Sequence, residues 1–213
     1  MPQITKALTL NDLPAPPPGK VGWPWTEQSK PLPEKMPNGS EWPRISIVTP
    51  SYNQGQFIEE TIRSVLLQEY PNLEYIVIDG GSTDNSVDII RKYEPWISYW
   101  VSESDQGQSD ALNKGFAIST GEIMGWLNSD DFLQRGSFKS LAEAYQSGLY
   151  WWNGVASHIC LDGAFVKSNP KSLASVSHKD LLYARVIICQ VSTFWTRKLW
   201  EKSGAFVSPL NLA

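Results

Sequence analysis

Residue types that build metal and redox centres are nearly missing from this chain, which has two cysteines and two histidines among 213 residues. Cys160 and Cys189 lie far apart among apolar neighbours, so they read as buried free thiols rather than a disulfide or a zinc site. That usage suits the cytosol, and a cytoplasmic location is expected. His158 and His178 are too isolated to suggest zinc, and neither is a candidate base. Positive charge is not in excess either: the formal net charge of −4 argues against nonspecific binding to nucleic acid or anionic lipid. No stretch approaches the ~18 consecutive apolar residues of a membrane span. Met1 to Leu10 lacks the continuous apolar core of a signal peptide. Peripheral membrane contact and oligomeric state stay open. There is no G-x-x-x-x-G-K-[ST] loop, and the Gly80-Gly81 turn lacks the third glycine of the dinucleotide fingerprint. A phosphorylated ligand must therefore be held by metal and backbone.

What the chain does have in quantity is proline and tryptophan at one end. Ten of the 15 prolines fall within residues 1–43, with Trp23, Trp25 and Trp42 among them. Such a segment builds neither helix nor sheet ladders and follows extended paths, so it reads as an arm. Its indoles are expected to pack back on the domain, the alternative being a stacking surface for an acceptor sugar or a partner. The 213 residues suit one domain that buries roughly 70% of the surface its unfolded form exposes, with residues 44–213 as its body beyond the arm.

Hydrophobic periodicity places the elements of that domain. Apolar runs at Ile45 to Asn53 and at Tyr75 to Asp79 read as buried strands, the second ending in a glycine turn. Between them Ile58, Ile62, Val65 and Leu66 recur at helical spacing, which buries one helical face. A short helix is expected over Asn85–Tyr93, a strand over Ile97–Ser102 and a helix from about Ala111 to Thr120. A strand over Ile123–Leu127 and a helix over Ser137–Ser147 follow. Beyond Leu149 the pattern changes to aromatic strands, Tyr150-Trp151-Trp152 and Ala164-Phe165-Val166, joined through the turn Asp162-Gly163. The fold class is α/β: a mainly parallel sheet flanked by helices, with a smaller sheet region in the second half. Ligands of such sheets collect beyond the carboxyl ends of the strands.

Chemistry concentrates at those ends. The strand to Leu127 delivers Asn128-Ser129-Asp130-Asp131 and stops. Two bare carboxylates at ~4 Å repel by about 4 kcal/mol at an effective dielectric of 20, so a site holding both needs a cation, a proton or open water. Asp79 ends the second strand, and Tyr52 follows the first. Each has a plain structural reading beside the functional one: Ser129 or Asp130 as a helix cap, Asp79 as a turn former, and Asp105, Asp110 and Asn113 as caps of the following helix. Lys114 reads as a solvated lysine that could also reach a phosphate.

Taken in order, Ile47 to Asn53, Asp79-Gly80-Gly81-Ser82-Thr83-Asp84, Asp105-Gln106-Gly107 to Asn113-Lys114-Gly115, and Asn128-Ser129-Asp130-Asp131 resemble the family 2 glycosyltransferases of GT-A fold. A looser similarity continues through Cys189 to Trp195 and Gly204-Ala205-Phe206. The resemblance implies an enzyme that transfers a sugar, with inversion, from a nucleotide-diphosphate donor, UDP-linked by preference, to a saccharide or lipid-linked acceptor in polysaccharide biosynthesis. It implies a nucleotide-binding half over about 44–135 and an acceptor-side half over about 136–213. Thr49, Pro50 and Tyr52 match the loop against the nucleotide base, and Asp79 the carboxylate that accepts a hydrogen bond from the base. Asp110 matches the donor pocket near the ribose or sugar, and Asp130 a contact to ribose or sugar. Asp131 matches the ligand of a Mg2+ or Mn2+ ion bound to the diphosphate, a Lewis-acid role that needs hard oxygen ligands. Asn128 stands where the fuller D-x-D-D pattern has its first carboxylate. The family's general base follows the turn matched by Gly204-Ala205-Phe206, and no Asp or Glu follows Glu201, so the base is expected beyond Ala213. Glu201 itself reads as a surface residue. The alternative is a noncatalytic nucleotide-sugar-binding fragment.

Overall fold

The computed structural model describes residues 7–145, 150–154, 158–159, 165–166 and 190–206. Its centre is set by two strands, β1 (Ile45–Ser51) and β2 (Leu73–Asp79), every residue of which is buried. They pair in parallel from Ile45 opposite Leu73 to Ser51 opposite Asp79. Strands covered on both faces need apolar residues of both parities, and here alternate positions feed two cores. Ile45, Ile47, Tyr75 and Val77 enter one, and Val48, Ile76 and Ile78 the other.

Helices cover both faces. On the first lies α1 (Ile58–Leu66), with Ile58, Ile62, Val65 and Leu66 buried as the spacing predicts. On the second lies α3 (Gln108–Ile118), burying Ala111, Leu112 and Phe116. Between them in sequence come α2 (Ser86–Lys92) and β3 (Tyr99–Ser102), the latter parallel to β2. The expected helix at Ala111 begins three residues earlier because Gly107, at φ 100°, turns the chain into it.

Strand β4 (Ile123–Trp126) returns to pair in parallel with β1 on the side away from β2. The order is therefore β3-β2-β1-β4, and the direction of winding reverses between β1 and β4, where a crevice opens at the carboxyl ends. After α4 (Ser137–Ala144) comes β5 (Trp151–Asn153), close to the expected aromatic strand. It extends the main sheet rather than forming a layer of its own. Strand β8 (Thr193–Thr196) runs antiparallel to both β4 and β5 and joins them, making six strands in all. A separate two-stranded sheet pairs β6 (His158–Ile159) with β7 (Phe165–Val166), so the second expected strand is present but pairs with His158–Ile159 instead of the Trp151 strand. The turn Asp162-Gly163, His178, Cys160 and Cys189 lie outside the described residues. Last comes α5 (Arg197–Ser203), where Glu201 is exposed.

The arm packs back on the domain. Trp25 and Trp42 are buried, and the Trp42 indole donates to the Pro33 carbonyl at 2.8 Å. Its anchor is Arg63 of α1, whose guanidinium is wholly buried. It donates to the carbonyls of Pro14 (2.8 Å), Pro24 (3.1 Å) and Trp25 (3.0 Å), and to the Tyr93 hydroxyl (3.0 Å). Proline-rich chain leaves carbonyls without ladder partners, and a buried guanidinium supplies the donors they lack. Among the described residues no helix is long and apolar enough to cross a membrane.

Candidate active site at the carboxyl ends of the strands

The crevice at the switch of winding holds a cleft of about 600 Å³. Its walls come from the end of β1 (Pro50, Tyr52), the turn after β2 (Gly80), the approach to α3 (Asp105, Gln108) and the turn after β4 (Asn128, Asp130). Pro50, Tyr52 and Asp130, three of the expected site residues, are thus brought together. Tyr52 is 60% exposed, with its ring available to a ligand.

Three other expected residues stand differently. Thr49 is wholly buried beneath the cleft, its hydroxyl 3.1 Å from that of Tyr75. Strand alternation explains this: Thr49 faces away from the surface on which Pro50 opens. Asp79 is also wholly buried. Its carboxylate accepts the N–H of Gly81 (3.2 Å) and Ser82 (2.8 Å) and the hydroxyls of Ser82 (2.5 Å) and Ser102 (2.7 Å). It organises the turn, the plain reading of an Asp before Gly-Gly. Asp110, in the first turn of α3, faces along the surface. The N–H of Gln106 (3.1 Å), together with the ammonium of Lys114 (3.3 Å), holds its carboxyl below the usual range. Lys114 also pairs with Glu103 at 3.0 Å.

The loops after β1 and β2 are tied to each other. Asn53, at φ 53°, accepts the Thr83 N–H at 2.9 Å, while its own N–H goes to the Ser82 hydroxyl at 2.8 Å. Gly55 N–H reaches Asp84 at 2.8 Å, and Gln54 N–H reaches the Ser86 hydroxyl at 2.9 Å. Burial acts to raise the Asp84 carboxyl, but the bonds from Ser86 and Gly55 outweigh it and hold that group low. The rim beside Tyr52 is fixed by this lacing.

The acidic turn is held from below. The Thr61 hydroxyl lies within hydrogen-bond distance of the carbonyls of Ser129 (2.9 Å) and Asp131 (2.7 Å). The Leu133 N–H donates to the Ser64 hydroxyl at 3.1 Å, and the Gln68 amide donates to the Gln134 carbonyl at 2.9 Å. From the arm the Trp23 indole donates to the Leu133 carbonyl at 2.8 Å. Asn128 completes the turn from within: its amide N–H groups donate to Asp131 (3.2 Å) and Gln190 (2.9 Å), and its oxygen accepts from Gln108 (2.8 Å). A carboxylate at position 128 would face Asp131 at the same distance, so the amide replaces a repulsion with an attraction. None of these supports shows in the hydrophobic pattern. The one signal that could have found any of them is the polar Thr61 beside Ile58 and Ile62 on the buried face of α1.

Asp130 is exposed and lines two spaces. On its other side, with Asp131, lies a second cavity of about 550 Å³ whose walls include Leu141, Trp152, Asn153 and Phe194. Among the described residues no three His, Cys, Asp or Glu side chains gather as a metal-binding group. Two adjacent carboxylates do fit Mg2+ or Mn2+, because Mg2+ sites commonly take one or two protein carboxylates and complete their shell with phosphate oxygens and water. No described residue lining the first cleft is Lys or Arg, so a diphosphate there meets no side-chain cation.

Residues 46–163, more than half of the chain, match the family model described as glycosyl transferase family 2. An uncharacterized glycosyltransferase of Mycobacterium tuberculosis (strain H37Rv) is 41% identical over 90 residues, covering 42% of this chain and 34% of its own. TuaG of Bacillus subtilis, which carries the name of a teichuronic acid biosynthesis glycosyltransferase, is 39% identical over 152 residues, covering 69% of this chain and 60% of its own. The chain thus spans between a third and three fifths of the length of these relatives. Among solved structures, a mannosyltransferase from Pyrobaculum calidifontis in complex with GDP-Man and Mn2+ superposes with a TM-score of 0.55 at 23% identity. It covers 78% of this chain and 48% of its own, a likeness of fold.

Proposed function

Because the chain belongs to glycosyl transferase family 2, with the GT-A fold, we propose that it binds a nucleotide-diphosphate sugar, UDP-linked, in the cleft between β1, β2 and β4. The sugar passes, with inversion and with a divalent ion, to a saccharide or lipid-linked acceptor. The observation that carries this reading is the meeting of Tyr52, Gly80 and Asp130 on one cleft at the switch of winding, with the Asp130-Asp131 pair between that cleft and a second cavity.

In this reading the nucleoside lies against Tyr52 and the turn at Gly80, and the diphosphate runs toward the acidic turn. Asp131, with Asp130, would hold Mg2+ or Mn2+. When bound, the ion supplies the positive charge that a departing nucleoside diphosphate needs and that the cleft's own described side chains do not provide. Asn128 keeps the Asp131 carboxylate oriented, and Thr61 fixes the backbone that carries it. The acceptor hydroxyl approaches from the second cavity, where Trp152 and Phe194 give apolar surface and Asn153 a polar group. Its oxygen bonds to the anomeric carbon as the bond to the diphosphate oxygen breaks, and a general base on the opposite side takes its proton. The name carried by the Bacillus relative favours polysaccharide assembly as the setting, and the scarcity of cysteine favours the cytoplasm.

Calorimetric titration of UDP and UDP-linked sugars, with Mn2+ and with EDTA, tests this. Binding with Mn2+ that falls at least about tenfold in EDTA, a loss of about 1.4 kcal/mol, is expected. Equal binding in EDTA contradicts the metal role. Absence of binding by every nucleotide sugar contradicts the function.

A further inference from the structure

Two neighbouring features of the cleft bear on which residue reads the nucleobase. The first is that Asp79, the matched carboxylate, has no exposed surface and accepts from four donors of its own turn and of β3. Three of these bonds fall on Oδ2 and the Ser82 hydroxyl holds Oδ1, and with no exposed surface neither oxygen is within reach of a base in the cleft. The second concerns Gly80, the next residue, whose position lines the cleft. A Cβ built there would lie 2.9 Å from Oδ2 of Asp105 and 3.1 Å from its Cγ. The space that a side chain at position 80 would fill is taken by the Asp105 carboxylate, entering from the loop between β3 and α3.

Asp105 is partly exposed and lines the same cleft as Tyr52. Its Oδ1 accepts the Gly107 N–H at 2.8 Å, which fixes the carboxylate. No other hydrogen bond reaches it among the described residues, so Oδ2, the oxygen nearest Gly80, retains its accepting capacity. A fixed acceptor-only group beside an exposed aromatic ring is a reader for a planar ring with an N–H on its edge.

We propose that Asp105, admitted by the absence of a side chain at Gly80, reads the base of the donor, while Asp79 only shapes the turn. This rests on the cleft being the nucleotide site. The class of donor follows from the chemistry: uracil offers its imide N–H and guanine its ring N–H and amino group, and both suit a carboxylate. Cytosine presents a ring nitrogen acceptor at the same edge, and a carboxylate facing it is a pair of acceptors with no proton between them. A site built to receive a hydrogen bond discriminates strongly against a ligand that cannot supply it.

The test is titration of UDP, GDP and CDP in the presence of Mn2+ into the full chain and into the variants Asp105→Asn, Asp79→Asn and Gly80→Ala. For the unaltered chain the tighter of UDP and GDP exceeds CDP by at least about tenfold. In Asp105→Asn the preference collapses toward unity, because an amide can keep the Gly107 bond through its oxygen and turn an N–H toward cytosine. Gly80→Ala, which crowds Asp105 out of its place, collapses it as well. Asp79→Asn lowers the melting temperature yet leaves the preference intact in the folded protein. Retention of the preference in Asp105→Asn, or its loss in Asp79→Asn alone, overturns the proposal, and so does equal binding of all three by the unaltered chain, which would leave the nucleotide cleft standing. Should the Asp79 variant not fold, the Asp105 and Gly80 variants decide. Absence of binding by every nucleoside diphosphate overturns the cleft reading itself, and this proposal with it.

Discussion

The hydroxyl of Thr61 lies 2.7 Å from the carbonyl oxygen of Asp131, joining the buried face of the first helix to the backbone of the acidic turn. Thr61 is 1% exposed and its bond to the Ser129 carbonyl is buried, so that carbonyl has no water as a substitute donor. Thr61→Val keeps the shape and removes the proton. The expected cost is about 1–3 kcal/mol in a denaturant titration, the penalty for a buried acceptor left unmet. Affinity for Mn2+ with UDP should fall too, and Thr61→Ser should restore both.

Glu74 gives stability a pH dependence. Burial acts to raise its carboxyl, but the Ser46 hydroxyl, the Thr120 N–H (2.6 Å) and hydroxyl (2.9 Å), and Arg44 (3.0 Å) together hold it below the usual range. A depressed value in the folded state means the contribution is complete above the unfolded carboxylate value of 4.5 and is lost as pH falls through the folded one. Melting temperature should therefore drop steeply below about pH 4.5, and less steeply in Glu74→Gln. Glu60 and Glu69, both raised by burial, work in the opposite sense and over a different range, adding stability as pH falls toward 4.5 from above.

Removing the buried guanidinium should free the arm. Arg63→Met leaves the carbonyls of Pro14, Pro24 and Trp25 without a donor, and at least about 2 kcal/mol of stability should go. Limited proteolysis checks the local effect: cleavage within residues 7–43 should precede cleavage elsewhere in the variant.

Gly115 sets how closely α3 approaches β1. A Cβ there would meet Cγ1 of Val48 at 2.5 Å, so Gly115→Ala should cost about 1–3 kcal/mol through overpacking. Adding Val48→Ala opens the space, and the double variant should be less destabilised than the sum of the two single changes.

Much of this architecture is written in local pattern. The helical spacing of Ile58, Ile62, Val65 and Leu66 places α1 and its buried face, and the apolar runs at Ile47 and Ile76 place the two central strands. The joining of β5 to the sheet through β8 depends on partners about forty residues apart, which periodicity does not encode. Nothing in the local pattern marks Arg63 and Glu74 as buried, because their partners are mostly distant backbone groups and hydroxyls. At the candidate site the placing of Asp79 and Asp130 at strand ends was legible, but not the direction of their side chains. Asp79 turns inward at a strand end where four donors of Gly81, Ser82 and Ser102 meet it at once, and Asp105 takes the outward place from a loop. Asn113, expected as a cap, instead pairs twice with the backbone of Phe206, at 2.8 and 2.9 Å, tying α3 to the segment after α5.

In the proposed function the Asp130-Asp131 pair grips a cation together with a nucleoside diphosphate. Electron paramagnetic resonance of Mn2+ titrated into the protein with UDP measures that grip directly. UDP should strengthen Mn2+ binding to the unaltered chain, and Asp131→Ala should abolish the effect, with a melting temperature within a few degrees of the parent because a cleft carboxylate contributes little packing. Equal Mn2+ binding by the parent and the Asp131→Ala variant, with UDP present, would contradict that grip.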